Sequence, residues 1–215
     1  MTADLEFFFD PVCPYAWQTS QWIRRVIELE GIEVEWRFIS LHFLNETSYA
    51  PDEVGDAHRA SHDIGLRYHR VLAAIRAREG SDRLGDLYAA FTGPRFESPR
   101  TDGARMFERS FTEILAEFDL PAELAAEADN AAWDDELRAE TELAISRTGP
   151  DVGTPILTFG PPTGSSMFGP VISSVPGDED AVDLYRAVRT LTDFPGFSEL
   201  KRSNRPRLDL VAYRS

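Results

Sequence analysis

Leu5-Glu6-Phe7-Phe8-Phe9-Asp10-Pro11-Val12-Cys13-Pro14-Tyr15-Ala16-Trp17 is the stretch on which the fold of this 215-residue chain turns. Leu5 to Phe9 is a short, nearly continuous apolar run, the pattern of a buried strand, and the turn formers Asp10 and Pro11 end it. Pro14 suits the first turn of a helix, where its missing N–H costs nothing. Beyond it Trp17, Trp22, Ile23, Val26, Ile27 and Leu29 recur at a spacing of about 3.6 residues and form one apolar face. Gly31 stands where a left-handed cap would stop that helix. Val34, Trp36, Phe38 and Leu41 predict a second strand, so the chain opens as a βαβ unit with parallel pairing and a right-handed crossover.

The chemistry of this opening lies in Cys13, where strand gives way to helix. Unpaired N–H groups and the positive end of the helix dipole point at a side chain there, and both favour thiolate. Cysteines so placed fall from a free pKa of about 8.5 to between roughly 3.5 and 7.5. Cys13 is the chain's only cysteine, so it forms no internal disulfide. A lone cysteine is commonly a small core hydrophobe. The strand-to-helix junction, the adjoining Pro14 and a second proline signal at Thr154-Pro155 favour a reactive thiol instead.

From 51 to 149 the sequence is rich in Ala, Glu, Asp and Arg and keeps helical spacing almost throughout. One predicted helix aligns Ile64, Tyr68, Val71, Leu72 and Ile75. A second aligns Phe107, Phe111, Ile114, Leu115 and Phe118, and a third Leu137, Thr141, Ala144 and Ile145. Strand character returns at Thr154 to Phe159, followed by the turn-rich Gly160 to Gly164 and a short strand through Met167 and Phe168. A last helix is expected over Asp180 to Leu191, with Ala181, Leu184, Tyr185, Val188 and Leu191 on one face. The fold class is therefore α/β. Residues 1–50 and 150–215 are expected to share one sheet, with 51–149 inserted as a helical subdomain, and packing of the two should leave a cleft beside Cys13.

The segment from Phe9 to Trp17 resembles the active site of DsbA-like thioredoxin-fold proteins, in which a C-P-x-C motif opens the first helix. The likeness continues through Ser40-Leu41, Leu44-Asn45-Glu46, Val152-Gly153-Thr154-Pro155, Phe168-Gly169-Pro170-Val171, Ser173 and Glu199-Leu200-Lys201-Arg202. The nearest branch is the mycothiol-dependent nitroreductases of actinobacteria, and an arginine-rich chain with Lys201 as its one lysine is compatible with such a source. The resemblance implies a thioredoxin fold with a large helical insertion. It also implies catalysis by Cys13 and a cis Pro155, and thiol or substrate binding by Pro14, Tyr15, Trp17 and Thr154. Its cosubstrate is a low-molecular-weight thiol, mycothiol or glutathione, rather than a tightly bound cofactor.

One position departs from the family pattern, because Ala16 replaces the second cysteine. Without a resolving thiol in the chain, a mixed disulfide on Cys13 has to be released by a thiol from solution. The expected function is thus a monothiol oxidoreductase acting on a disulfide or electrophile. The motif also resembles kappa-class glutathione transferases and hydroxychromene-carboxylate isomerases, which usually carry serine at the position of Cys13. A thiol-dependent transferase or isomerase is the main alternative, and a binding module that has lost its chemistry is a third.

The remaining signals mostly exclude. A net charge of −15 without a basic cluster argues against nucleic acid and anionic membrane as partners. The opening Met1 to Glu6 lacks a basic start followed by an apolar stretch, which together with the absence of a spanning apolar run points to a soluble, cytoplasmic protein. His58 and His62 lie one helical turn apart, but no third ligand accompanies them, so no metal site is expected. Tyr68 and His69 are expected at the surface, with an approach to a cleft as the alternative. Trp22 is expected in the core, whereas Trp17 fits core packing and stacking on an aromatic substrate equally.

Overall fold

The computed structural model describes residues 3–50, 52–98 and 109–213. Strand β1 (Leu5–Phe9) is buried along its whole length because both of its faces are covered. Leu5, Phe7 and Phe9 enter the main apolar cluster, while Phe8 joins Ile39, Ala144 and Ile156 on the other side. That two-sided burial explains an unbroken apolar run. β1 pairs in parallel with β2 (Val34–Phe38), from Leu5 opposite Val34 to Phe9 opposite Phe38. On its other edge it runs antiparallel to β3 (Ile156–Phe159), which in turn pairs antiparallel with β4 (Ser165–Phe168). The sheet order is β2-β1-β3-β4.

Helix α1 (Pro14–Glu30) buries Ala16, Trp17, Trp22, Ile23 and Val26 and ends at Gly31, whose φ of 68° is the left-handed cap expected from sequence. The second strand is shorter than expected. It stops at Phe38, and Leu41 opens the short helix α2 (Leu41–Asn45) because its N–H meets the Asp10 carboxylate at 2.7 Å.

Four helices follow: α3 (Glu53–Glu79), α4 (Leu84–Glu97), α5 (Phe111–Glu117) and α6 (Asp134–Thr148). On α3 the expected stripe buries Tyr68, Val71, Leu72 and Ile75. α5 starts at a Ser110–Glu113 capping box, which satisfies N–H groups that a short helix leaves open. Phe107, expected on the same face, lies outside the described residues. After β4 comes α7 (Asp178–Thr192), which begins two residues before the expected Asp180. It buries Ala181 and Tyr185, whereas Leu191 is 36 % exposed rather than part of the buried face.

Among the described residues every strand lies outside 51–149. One apolar cluster nonetheless runs through β1, α1, α3, α4 and α5. No helix among the described residues is long and apolar enough to cross a membrane.

Candidate active site

Cys13 is the N-cap of α1, and the Ala16 N–H donates to its sulfur at 3.4 Å. The chain enters this cap through a tight turn in which the Cys13 N–H meets the Asp10 carbonyl at 3.1 Å. Across the sheet the Thr154 carbonyl accepts from Cys13 Sγ at 3.4 Å, and the Thr154–Pro155 bond is cis, as the resemblance implied. The Pro155 carbonyl accepts from the Gly169 N–H at 2.9 Å, and the Gly169–Pro170 bond is also cis. Thr19 on α1 then donates to the Pro170 carbonyl at 2.9 Å. Hydrogen bonds thus join the start of α1 to the entrance to β3 at the sulfur, and the exit from β4 to both of those segments.

The other expected residues sit at unequal depths. Pro14 and Tyr15 are half-buried, and the Arg205 guanidinium lies 5.8 Å from the centre of the Tyr15 ring. Thr154 and Pro155 are buried, and the Thr154 hydroxyl has no hydrogen-bond partner among the described residues. Trp17 is only 3 % exposed; it stacks on Phe96 and donates from its indole to Glu97 at 2.7 Å. Its position is that of a core residue, so stacking on a substrate would require Trp17 to leave its present contacts. Trp22 is fully buried, as expected.

The expected thiolate does not hold in this conformation. Cys13 is 7 % exposed, and burial pushes its thiol up to about 12 against the N–H groups of Ala16 and Tyr15, which pull it down. The charge of Asp10 adds to the rise. Desolvation of an anion outweighs two helix N–H groups, and the sulfur is a protonated thiol that donates to Thr154.

Asp10, read from sequence as a turn former, is the functional candidate that sequence reasoning missed. It is fully buried, with the Val12 N–H on one carboxylate oxygen at 2.8 Å and the Leu41 N–H on the other at 2.7 Å. Burial pushes its carboxyl up to about 7, against these two N–H groups and the charge of Arg95. The available signal was local, since Asp commonly accepts from the N–H two residues on, but the Leu41 partner is nonlocal.

Tyr68 and His69 are not at the surface. Tyr68 is 6 % exposed and His69 fully buried, its Nε2 lying 3.1 Å from the Phe9 carbonyl on the underside of the sheet's end. His58 stacks on His62, whose Nδ1 lies 2.8 Å from the Tyr49 hydroxyl. Among the described residues no group of three His, Cys, Asp or Glu side chains is placed to hold a metal. One cavity of about 340 Å³ opens between α3 and α5 beside Ile64, Tyr68 and Phe111. A polar groove of about 560 Å³ follows α1 past Gln18, Gln21 and Arg25. Cys13 lines neither, so neither is the cleft expected beside it.

A cysteine capping the first helix and facing the carbonyl that precedes a cis proline, on a mixed four-stranded sheet, defines the class: a DsbA-like, thioredoxin-fold, thiol-dependent oxidoreductase. Within that class the chain belongs to the Rv2466c-like family, described as mycothiol-dependent nitroreductase Rv2466c, which residues 12–202 match. An uncharacterized protein of Mycobacterium tuberculosis, Rv2286c, is 30 % identical over 213 residues, covering 97 % of this chain and 86 % of its own. The cytosolic disulfide reductase DsbM from Pseudomonas aeruginosa is similar in structure at 18 % identity, with a TM-score of 0.52 over 86 % of this chain and 98 % of that one. A 2-hydroxychromene-2-carboxylate isomerase matches at 14 % identity and a TM-score of 0.52, over 87 % of this chain and 95 % of its own. At such identities these two structures speak for the fold alone.

Proposed function

We propose that the protein reduces disulfide or electrophilic substrates by a monothiol route in which Cys13 is the nucleophile and a low-molecular-weight thiol, mycothiol by family, resolves the adduct. The observation that carries this reading is Cys13 as the chain's one sulfur nucleophile, capping α1 opposite the Thr154 carbonyl. In the first step the Cys13 thiolate attacks one sulfur of a substrate disulfide, forming a mixed disulfide and releasing the other sulfur as a thiol after it takes a proton. A thiol from solution then attacks the mixed disulfide, returning Cys13 and leaving as a new disulfide. A second route to release is closed, because Ala16 offers no thiol.

Supporting the thiol cosubstrate are the family's description and the structure of DsbM with GSH, which is similar at 16 % identity and a TM-score of 0.54. Pro14, Tyr15 and Thr154 are the residues to which that thiol would bind, and Pro155 would hold the backbone beside the sulfur. Burial of Trp17 favours a supporting role beneath them. Because the sulfur is buried and protonated at rest, a local opening that wets Cys13 precedes attack.

The test is disulfide reduction by wild type and Cys13→Ser across a titration of mycothiol and of glutathione. Wild-type turnover should rise with thiol concentration, and Cys13→Ser should lose it. A Cys13→Ser protein that loses reduction yet conjugates or isomerises a thiol-dependent substrate would favour the transferase or isomerase reading, since there a hydroxyl beside a bound thiolate suffices.

A further inference from the structure

We propose that Asp10 is a positioning residue that pins the loop presenting Cys13 and holds the buried negative charge of the resting site, a charge it must surrender before Cys13 becomes a thiolate. The proposal rests on Cys13 being the reacting thiol. Its basis is a convergence of three elements on one carboxylate. The Val12 N–H ties it to the β1–α1 loop and the Leu41 N–H to the first turn of α2. α3 closes the third side at Gly65, where a Cβ would stand 2.9 Å from Asp10 Oδ1 and 3.0 Å from Val12 Cγ2. Only a residue without a side chain lets α3 seal the carboxylate from water this closely.

The same residue also holds the cysteine's backbone, since the Asp10 main-chain carbonyl accepts from the Cys13 N–H at 3.1 Å. Side chain and main chain of Asp10 thus both hold the turn that leads into the cap. Charged and titratable groups face Asp10 from several elements among the described residues. Its own loop contributes Cys13, α4 contributes Arg95 and Tyr88, and the segment between α2 and α3 contributes Tyr49. Arg95, which also donates to Ser61 at 3.1 Å, is the one cation in that set. One cation and two backbone N–H groups support one anion in this dry site, and a second beside it meets like-charge repulsion. The carboxyl and the thiol therefore titrate as a coupled pair. A carboxyl whose burial pushes it up to about 7 is able to take a proton at neutral pH, whereas an ordinary carboxylate is not.

The experiment follows the rate of Cys13 alkylation by iodoacetamide against pH in wild type, Asp10→Asn and Asp10→Ser. Serine keeps an oxygen for the Val12 N–H while removing the charge. Both variants should shift the alkylation midpoint to lower pH by about one unit, which is about tenfold faster labelling near neutral pH. A purely structural role would lower thermal stability and leave the midpoint in place, and an unchanged or raised midpoint overturns the proposal. In the unaltered protein the Asp10 carboxyl carbon, followed by NMR, should titrate near neutral pH. A midpoint in the ordinary carboxylate range overturns the proposal even where neither variant folds. Alkylation requires no turnover, so these results stand apart from the loss of reduction expected of Cys13→Ser.

Discussion

At Cys13 two effects of opposite sign meet on one atom. The helix start that made this cysteine conspicuous in the sequence delivers an N–H to its sulfur, yet the same packing that builds the helix start removes the water an anion needs. The chain order reveals the first effect and hides the second, because burial depends on α3 and α4 closing over the loop. His69 shows the same hidden burial. Its imidazole is fully buried, and burial pushes it down to about 3, so it is neutral when folded. A histidine depressed in this way contributes stability that is complete above its unfolded value of about 6.5 and is lost as the pH falls toward 3. His69→Leu should be less stable than wild type at pH 7 by about 1 kcal/mol, because the Phe9 carbonyl loses one of its two donors and keeps the Ile39 N–H. At pH 4 the gap should close or reverse, since protonation of His69 in the unfolded chain, which the folded site resists, lowers wild-type stability by about 3 kcal/mol there. Urea unfolding at the two pH values measures this, and a gap that does not change with pH contradicts it.

Among the elements, β1, α1 and β3 were legible because each announces itself locally. An apolar run ends in Asp10-Pro11, a period of about 3.6 ends in Gly31, and a second apolar run follows Thr154-Pro155. α2 was misread as a continuation of β2, since Leu41 extends an apolar alternation and its helix-starting partner is the distant Asp10. α4 was not picked out as a helix of its own, although Leu84, Leu87, Tyr88 and Phe91 recur at i, i+3, i+4 and i+7 and are buried on one face. Tyr88 in consequence went unnoticed, although it stacks on Phe9 at 4.0 Å. The first turn of α1 offers a direct test of the monothiol route. Ala16 lies three residues after Cys13 and donates its N–H to the sulfur, so Ala16→Cys places a second thiol within reach. That variant should release its substrate thiol in a single turnover by forming an internal disulfide between Cys13 and the introduced thiol, so that added thiol is needed only to reduce this disulfide for the next round. Non-reducing mass measurement and a single-turnover assay without added thiol check it, and an Ala16→Cys protein that stops at the mixed disulfide contradicts it.

Over the whole molecule, an ion network fastens the helical segment to the sheet. Glu6, 2 % exposed in the middle of β1, pairs with Arg37 on β2 at 2.9 Å and with Arg147 on α6. Glu140 on α6 meets Arg37 at 3.5 Å, Arg76 on α3 at 2.7 Å and the Phe38 N–H at 2.9 Å. Glu6→Ala leaves two arginines facing each other in a poorly hydrated site and should cost about 3–5 kcal/mol, read by chemical denaturation. A loss below about 1 kcal/mol would mark the network as a solvated surface pair. We propose on the element order that 51–149 is an insertion into a thioredoxin-like domain formed by 1–50 and 150–215, one that shares its apolar core with the sheet. In such an arrangement the thiol sits under the insertion, and its chemistry depends on a cosubstrate reaching it. The most direct test of that chemistry is the intact mass of the protein after incubation with oxidised mycothiol. A single mycothiol adduct on Cys13, removed by free mycothiol and absent from Cys13→Ser, is the predicted result. An unmodified Cys13 in a protein that still turns over would contradict the account.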